Sequence, residues 1–434
     1  MRRLLLWTIL TVFALASLSA MAAAEETITL EWWTHATLSQ RELYYELIEE
    51  FEAMHPNVKV NLQVPGDWDD MWTRLLTAIA AGEGCDVMRA KDFWVDMLAP
   101  QGALLDLTPY IERDREELEI DDYYIGLMEA YRHGDRIYAL PWHVYYYNLY
   151  YNVDLFEEAG LAGPPETWDE VVEYSKKLTD PAKMRFGTQM MTYTGKEPFL
   201  AKVMEMFARQ NSQNPELEPW DVNSRIPNFN GLTGEAMIGA MEFWRDLMYN
   251  TKTCLPPELS TMPMRIENGM IGFWWNSPIG ASELRKIHTD LNFRMARNPG
   301  KYNSGTVVEQ NAFFAMSMTK HPEMTWELVK FLTSKEVNYK YCTDGVYLPT
   351  RQTEWEQAPF NSDPDYLVAR QQLMDPNNVF HTNYTKNWQS IMTTLATEVE
   401  NVMRNSKAPA AAMQDAIRSM HAEMVKDYGD QFQQ

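Results

Sequence analysis

Three short stretches set an aromatic ring beside a hydrogen-bonding side chain: Trp33-Thr34-His35, Asp67-Trp68 and Lys91-Asp92-Phe93-Trp94. Trp32, Trp142-His143, Trp274-Trp275-Asn276, Gln310 and Trp388 extend the same inventory. An indole offers a flat apolar face to the C–H side of a sugar ring, while its N–H and polar neighbours can meet hydroxyls. That chemistry is recognition rather than bond making. The motifs of bond making are missing: there is no HExxH, GxSxG, P-loop or strand-anchored GxGxxG, and the eight histidines include no i, i+4 pair. Asp67, Asp69 and Asp70 are the candidates for a glycosidase carboxylate pair, but acids in the turn before a helix ordinarily cap it. No cofactor and no metal are expected.

The elements around these residues explain why their positions matter. Residues 26–33, ETITLEWW at the start of the mature chain, alternate as a strand. Leu43, Leu47, Ile48 and Phe51 then recur at helical spacing behind a Ser39–Glu42 capping-box pattern. His55-Pro56-Asn57 stops that helix. Val58, Val60, Leu62 and Val64 alternate strictly, Pro65-Gly66 turns the chain, Trp68 to Ala81 supports a second helix, and Asp86-Val87-Met88 begins a third strand. The order β-α-β-α-β predicts a largely parallel sheet covered by helices, whose ligands gather at the carboxyl ends of the strands. Those ends carry the three stretches named first. Downstream, Thr167 and Glu170 form another capping box, Phe186 to Met190 reads as a strand, 209–231 as a polar surface loop, 234–249 as a helix, and the Met-rich last fifty residues as helices broken near Pro409.

A chain of 434 residues exceeds one simple core, so two domains or lobes are expected. Residues 1–24 read as a cleavable secretory leader: Arg2 and Arg3, an apolar run from Leu4 to Leu18, and a small-residue site at Ala20-Met21-Ala22 or Ala22-Ala23-Ala24. No cysteine follows the cut to carry lipid. The net charge of −23 repels nucleic acid and anionic membranes. Cys85, Cys254 and Cys342 show no CxxC spacing, and one disulfide among them is open.

Several segments in order resemble a known family: WWTH…ELYYELIEEFEAMHPNVKV, DW…LLTAIAAGEGCDV, GALLDLTPYI, RIYALPW…LYYNVDLFEEAGL…PPETWDEVVEYSKKL, IENGMIGFWWNSP and YLPTR. Together they resemble the extracellular solute-binding proteins of carbohydrate ABC importers, the maltose-binding-protein-like family. The resemblance implies an α/β, two-lobed periplasmic binding protein fold with a hinge and an interlobe ligand cleft. It implies an N-terminal lobe of 25–142 plus 305–343 and a C-terminal lobe of 143–304 plus 344–434. The run from Arg136 to Phe156, with its six tyrosines, becomes the first crossover, where phenols face a wet cleft and protein at once.

Their places after strand ends make Trp33 and Trp68 candidate ligand contacts; carried over position by position, the resemblance implies contacts at Thr34 and His35 and at Lys91, Asp92 and Trp94. Further contacts are implied at His143 and Tyr145, Trp274, Trp275 and Asn276, Gln310 and Asn311, Arg351 and Trp388. Gln310 and Asn311 stand where many members carry a glycine pair, the acid common near Tyr145 is absent, and Cys85 replaces a common proline. The function implied is capture of a sugar or oligosaccharide by a periplasmic monomer, which delivers it to the membrane permease subunits of an ABC transporter without a chemical step. Two other readings stay open: the same fold binding a phosphorylated polyol, amino-acid-like molecule or peptide through Lys91 and Arg351, and a secreted glycan hydrolase or lyase using Asp67 or Asp92.

Overall fold

The computed structural model of the chain describes residues 27–36, 38–190, 199–213, 220–221, 226–227, 234–259, 266–345, 347–374, 379–381 and 388–429. The leader, the Ser39 side chain and most of the 209–231 loop lie outside the described residues. Among those described, no helix is long and apolar enough to cross a membrane.

Two sheets organise the chain. Strands β1 (Ile28–Trp33), β2 (Val58–Gln63) and β3 (Val87–Lys91) alternate with helices α1 (Leu38–Met54) and α2 (Trp68–Ala81), and the short helix α3 (Trp94–Leu98) follows β3. Strand β4 (Ala139–Tyr146) ends this part of the chain. After Tyr147 alone comes β5 (Asn148–Asn152), then α4 (Trp168–Leu178), β6 (Phe186–Gln189), α5 (Phe199–Gln210), α6 (Glu235–Arg245), β7 (Ile271–Asn276), α7 (Pro278–Ile287) and β8 (Phe293–Ala296). The remainder is β9 (Thr306–Ala315), α8 (Pro322–Leu332), α9 (Lys335–Gly345), α10 (Pro364–Met374), β10 (Val379–His381), α11 (Trp388–Met403) and α12 (Pro409–Tyr428).

The first sheet runs β10-β9-β3-β1-β2, with β4 also paired to β9. β1 lies parallel to β2 and β3, and β9 enters antiparallel to β3 with Asn311 opposite Lys91. The second sheet runs β8-β5-β7-β6. The fold is thus the two-lobed α/β arrangement, and the chain passes between the sheets at Tyr147 and again at 297–305. The stretch from Tyr347 to Arg351 stays against the first sheet: Leu348 bridges Val144 and Arg351 bridges Tyr123. By Asp365 and Gln372 the chain lies on β8, where their side chains accept from the Met295 and Asn298 amides. β9 is buried along its whole length, as befits a central strand flanked by β3, β4 and β10 of the first sheet.

Local sequence explains the elements that hold this frame. Thr167 caps α4 by accepting from the Glu170 amide at 3.2 Å, and Glu170 accepts from the Thr167 amide, completing the capping box. Thr167→Ala is expected to cost about 1 kcal/mol of stability, read as a shift in urea midpoint; an unchanged midpoint would deny the cap its role. Gly187 on β6 is required by close approach, because a Cβ there would collide with the Ser175 backbone of α4. The Met-rich end forms α11 and α12, broken ahead of Pro409, and Met392, Met403, Met413, Met420 and Met424 are buried between them and the second lobe. Cys85, Cys254 and Cys342 are all free and buried. Burial pushes the Cys254 thiol up to about 12, so none of the three is poised as a thiolate.

Candidate functional site

At the carboxyl ends of β1 and β3 the sequence-predicted residues come together. The Trp68 ring, at the first position of α2, lies 5.1 Å from the His35 ring and 6.1 Å from Trp94 in an edge-on arrangement. Arg89 Cζ and Lys91 Nζ stand 5.1 and 5.3 Å from the Trp68 ring centre, within cation–π range. His35 is held through Nδ1 at 3.2 Å from the Gly66 carbonyl oxygen. Burial, then the charge of Arg89, lowers the His35 pKa to about 4, so the imidazole is neutral at physiological pH, with Nδ1–H donating to Gly66 and Nε2 left as an acceptor. Asp67 accepts from the Asp70 amide at 2.9 Å: it caps α2 and is exposed. The Asp69 side chain lies outside the described residues.

Opposite these residues stand groups from β9, α5 and α11. The Phe93 ring packs against Trp388 with centroids 4.5 Å apart. Lys202 Nζ lies 4.8 Å from the Trp388 ring centre, 5.9 Å from Phe93, and 3.0 Å from Glu309 Oε1. The Tyr147 hydroxyl also donates to Glu309 Oε1, at 3.2 Å. Lys91 flanks the same Phe93 ring at 5.9 Å. The site therefore has rings and charged groups from the first sheet and from helices α5 and α11 around Phe93. Lys202 and Glu309 were missed by the sequence reading, and Phe93 and Arg89 were given no contact. One signal was available: Lys202, Glu205 and Arg209 fall at i, i+3 and i+7 on the otherwise apolar FLAKVMEMFARQ helix, a charged stripe on a buried element.

The other predicted residues are placed as follows. Thr34 is buried, with Oγ1 donating to the His35 carbonyl at 3.0 Å. Trp33 is buried under Arg74, whose Cζ lies 4.3 Å from its ring. Asp92 is buried and its Oδ1 accepts from the Phe93 amide, which shapes the turn out of β3. His143 sits between Tyr347, 4.2 Å away, and Trp142, and burial drives its pKa well below the usual histidine value. The Tyr145 side chain lies outside the described residues. Asn311 is buried on the face of β9 that carries Glu309. Gln310 points to the opposite face by strand alternation, with Oε1 buried and without a partner among the described residues.

Four further positions lie apart from the cluster or are spent on structure. Trp274 packs between Tyr150 and Phe293. Trp275 packs among Phe207, Trp244 and Phe273, and its Nε1 donates to Asn298 at 3.1 Å. Asn276 Oδ1 accepts from the Ser277 amide at the start of α7. Arg351 donates to the Leu118 and Thr333 carbonyls and to the Tyr123 hydroxyl at 2.9 to 3.0 Å, inside the first lobe. Both terminal nitrogens of its guanidinium are spent on these acceptors, which makes it a core residue.

Chemically, the cluster can stack a ring and exchange hydrogen bonds. Among the described residues no group of His, Cys, Asp and Glu is arranged to hold a metal.

The family model for bacterial extracellular solute-binding proteins matches residues 36–339. A putative binding protein of Brucella abortus is 23% identical over 392 residues, covering 88% of this chain and 90% of that protein. Among solved structures, an ABC substrate-binding protein of Listeria monocytogenes in complex with cycloalternan superposes with a TM-score of 0.79 at 20% identity, covering 92% of this chain and 99% of that one. UgpB of Mycobacterium tuberculosis in complex with glycerophosphocholine superposes with a TM-score of 0.77 at 17% identity, covering 92% and 98%.

Proposed function

Because this chain belongs to the bacterial extracellular solute-binding protein family, we propose that it captures a sugar or oligosaccharide between its lobes outside the cytoplasm and delivers it, unchanged, to the permease subunits of an ABC transporter. The observation that carries the sugar reading is the pairing of rings with neutral or charge-balanced hydrogen-bonding groups where helices α5 and α11 meet the first sheet: Trp68 with His35, Phe93 and Glu309 from that sheet's side, and Lys202 and Trp388 from the helices. Such contacts span both lobes, so a ligand making them favours the closed arrangement, and binding becomes a population shift about the hinge. The lobes we propose meet at Tyr147 and at 297–305, with 347–351 kept in the N-terminal lobe.

A second reading, capture of a phosphorylated polyol, draws on Arg89 and Lys91, which both approach Trp68 and both lower the His35 pKa. The Listeria and Mycobacterium proteins, with a cyclic saccharide and a glycerophosphodiester, bracket these two ligand classes.

The test is a thermal and chemical unfolding panel with neutral saccharides, polyols and their phosphorylated or acidic counterparts. The cognate class is expected to stabilise the protein by RT ln(1 + [L]/Kd), about 2.7 kcal/mol at a hundredfold excess over Kd, with a change in tryptophan emission. A panel without any shift would overturn solute capture; a shift confined to phosphorylated members would overturn the sugar reading in favour of the second.

A further inference from the structure

Lys202 and Glu309 form a buried ion pair at 3.0 Å. They are 3 and 5% exposed; Lys202 lies on α5, among buried Leu200, Val203, Met204 and Phe207, and Glu309 lies on β9. Taking both charges out of water is costly, and an apolar pair of similar volume generally gives a fold at least as stable. The pair also straddles the hinge: Lys202 belongs to α5 of the second lobe, and Glu309 belongs to the strand paired with β3 and β4. Glu309 is oriented by Tyr147, the single residue at which the chain first passes between sheets. The ammonium lies against both rings of the interlobe Phe93–Trp388 contact. An oriented acceptor and an oriented donor thus sit 3.0 Å apart at the edge of two apolar plates.

We propose that Lys202 and Glu309 are the specificity-determining contact of the cleft, receiving two adjacent hydroxyls of a neutral ligand and turning away a ligand with an anionic group at that position. This rests on the solute-capture reading. Glu309 accepts from one hydroxyl and Lys202 donates to the next, a pairing that charge assistance strengthens. The carboxylate compensates the ammonium, so a phosphate or carboxylate brought to this position meets Glu309 as a like charge. Discrimination then comes from a repulsive element as much as from the attractive one. Because the two groups come from opposite sides of the hinge, the contact is complete only when the lobes are closed.

The experiment measures Kd by titration calorimetry for matched probes: D-glucose with D-glucuronate, D-galactose with D-galacturonate, maltose, L-arabinose, and glycerol with sn-glycerol-3-phosphate. The proteins are the full mature chain, Lys202→Met and Glu309→Gln, each checked for its unligated melting temperature. The wild type is expected to prefer the neutral member of a pair. Lys202→Met should weaken that member at least tenfold. Glu309→Gln should also weaken it, and should move the neutral-to-acidic affinity ratio at least tenfold toward the acid, because the negative charge that repels an anion beside Lys202 is then gone. A purely structural pair would lower both members equally. An unmoved ratio in Glu309→Gln, or a wild type that prefers the acidic member, overturns the assignment while leaving solute capture intact. Absence of binding to every probe overturns both.

Discussion

Trp275→Ala is expected to lower the unfolding free energy by about 3 to 5 kcal/mol, the range for truncating a fully packed tryptophan. The indole is buried, and Phe207 and Trp244 meet it edge-on with ring centres 5.2 Å away. Its N–H satisfies Asn298, whose own amide donates to the Tyr147 carbonyl at 2.8 Å and so ties the crossover to the second sheet. Removing the ring leaves a cavity among aromatics and orphans one acceptor, both of which add to the lost transfer free energy. The measurement is a urea titration, where the midpoint should fall with little change in slope. The counterpart is Trp68→Ala: that ring is half-buried beside His35 and Lys91, so the loss should appear in ligand affinity with the midpoint nearly kept. A Trp275→Ala protein of undiminished stability and weakened affinity would return Trp275 to the cleft as a stacking plate.

The contrast between these two tryptophans shows what the sequence could and could not convey. Adjacent residues in a strand point to opposite faces, so Trp274 and Trp275 could never both face one cleft. Their separation into the Tyr150–Phe293 and Phe207–Trp244 groups follows from β7 lying inside a covered sheet. The same alternation divides Gln310 from Glu309 and Asn311. Trp68, His35, Lys91 and Trp94 were legible because a parallel β-α-β-α-β order fixes where strand ends meet. The capping box at Thr167 and the break ahead of Pro409 were legible because their determinants are local, within four residues of the features they create.

Lys202 and Glu309 were not legible as a pair because nothing local joins them. Their meeting depends on α5 packing against β9, a tertiary outcome that no periodicity encodes. The charged stripe on α5 said only that something unusual must compensate those side chains. Arg351 failed in the opposite direction. Its short YLPTR context suggested an exposed hydrogen-bonding arm, whereas its acceptors, at Leu118, Tyr123 and Thr333, arrive from distant segments and enclose it. A buried arginine and a ligand-binding arginine look alike in one dimension. Only the census of acceptors separates them.

The enclosure of Arg351 has a thermodynamic consequence at Glu354, whose neutral isostere should make the protein more stable at neutral pH. Glu354 is fully buried and neither carboxylate oxygen has a hydrogen-bond partner among the described residues. Burial raises its pKa from 4.5 to about 8, against the pull of the Arg351 charge, while Asp122 adds to the rise and Lys335 opposes it. A carboxyl whose folded pKa lies above its unfolded value holds its proton more tightly in the native state. Its effect on stability is therefore absent below about pH 4.5, grows as a loss between about 4.5 and 8, and levels off above that. Each pKa unit corresponds to about 1.4 kcal/mol, so at pH 7 the loss amounts to about 3 kcal/mol. Glu354→Gln carries no proton to lose and keeps the volume, so its stability should match the wild type near pH 4.5 and exceed it by about 3 kcal/mol at pH 7. Urea midpoints across pH 4.5 to 8 measure the difference directly. Parallel curves for the two proteins, or a variant destabilised at pH 7, would mean that Glu354 is ionised in the native state and that its pairing with Arg351 outweighs the cost of burial.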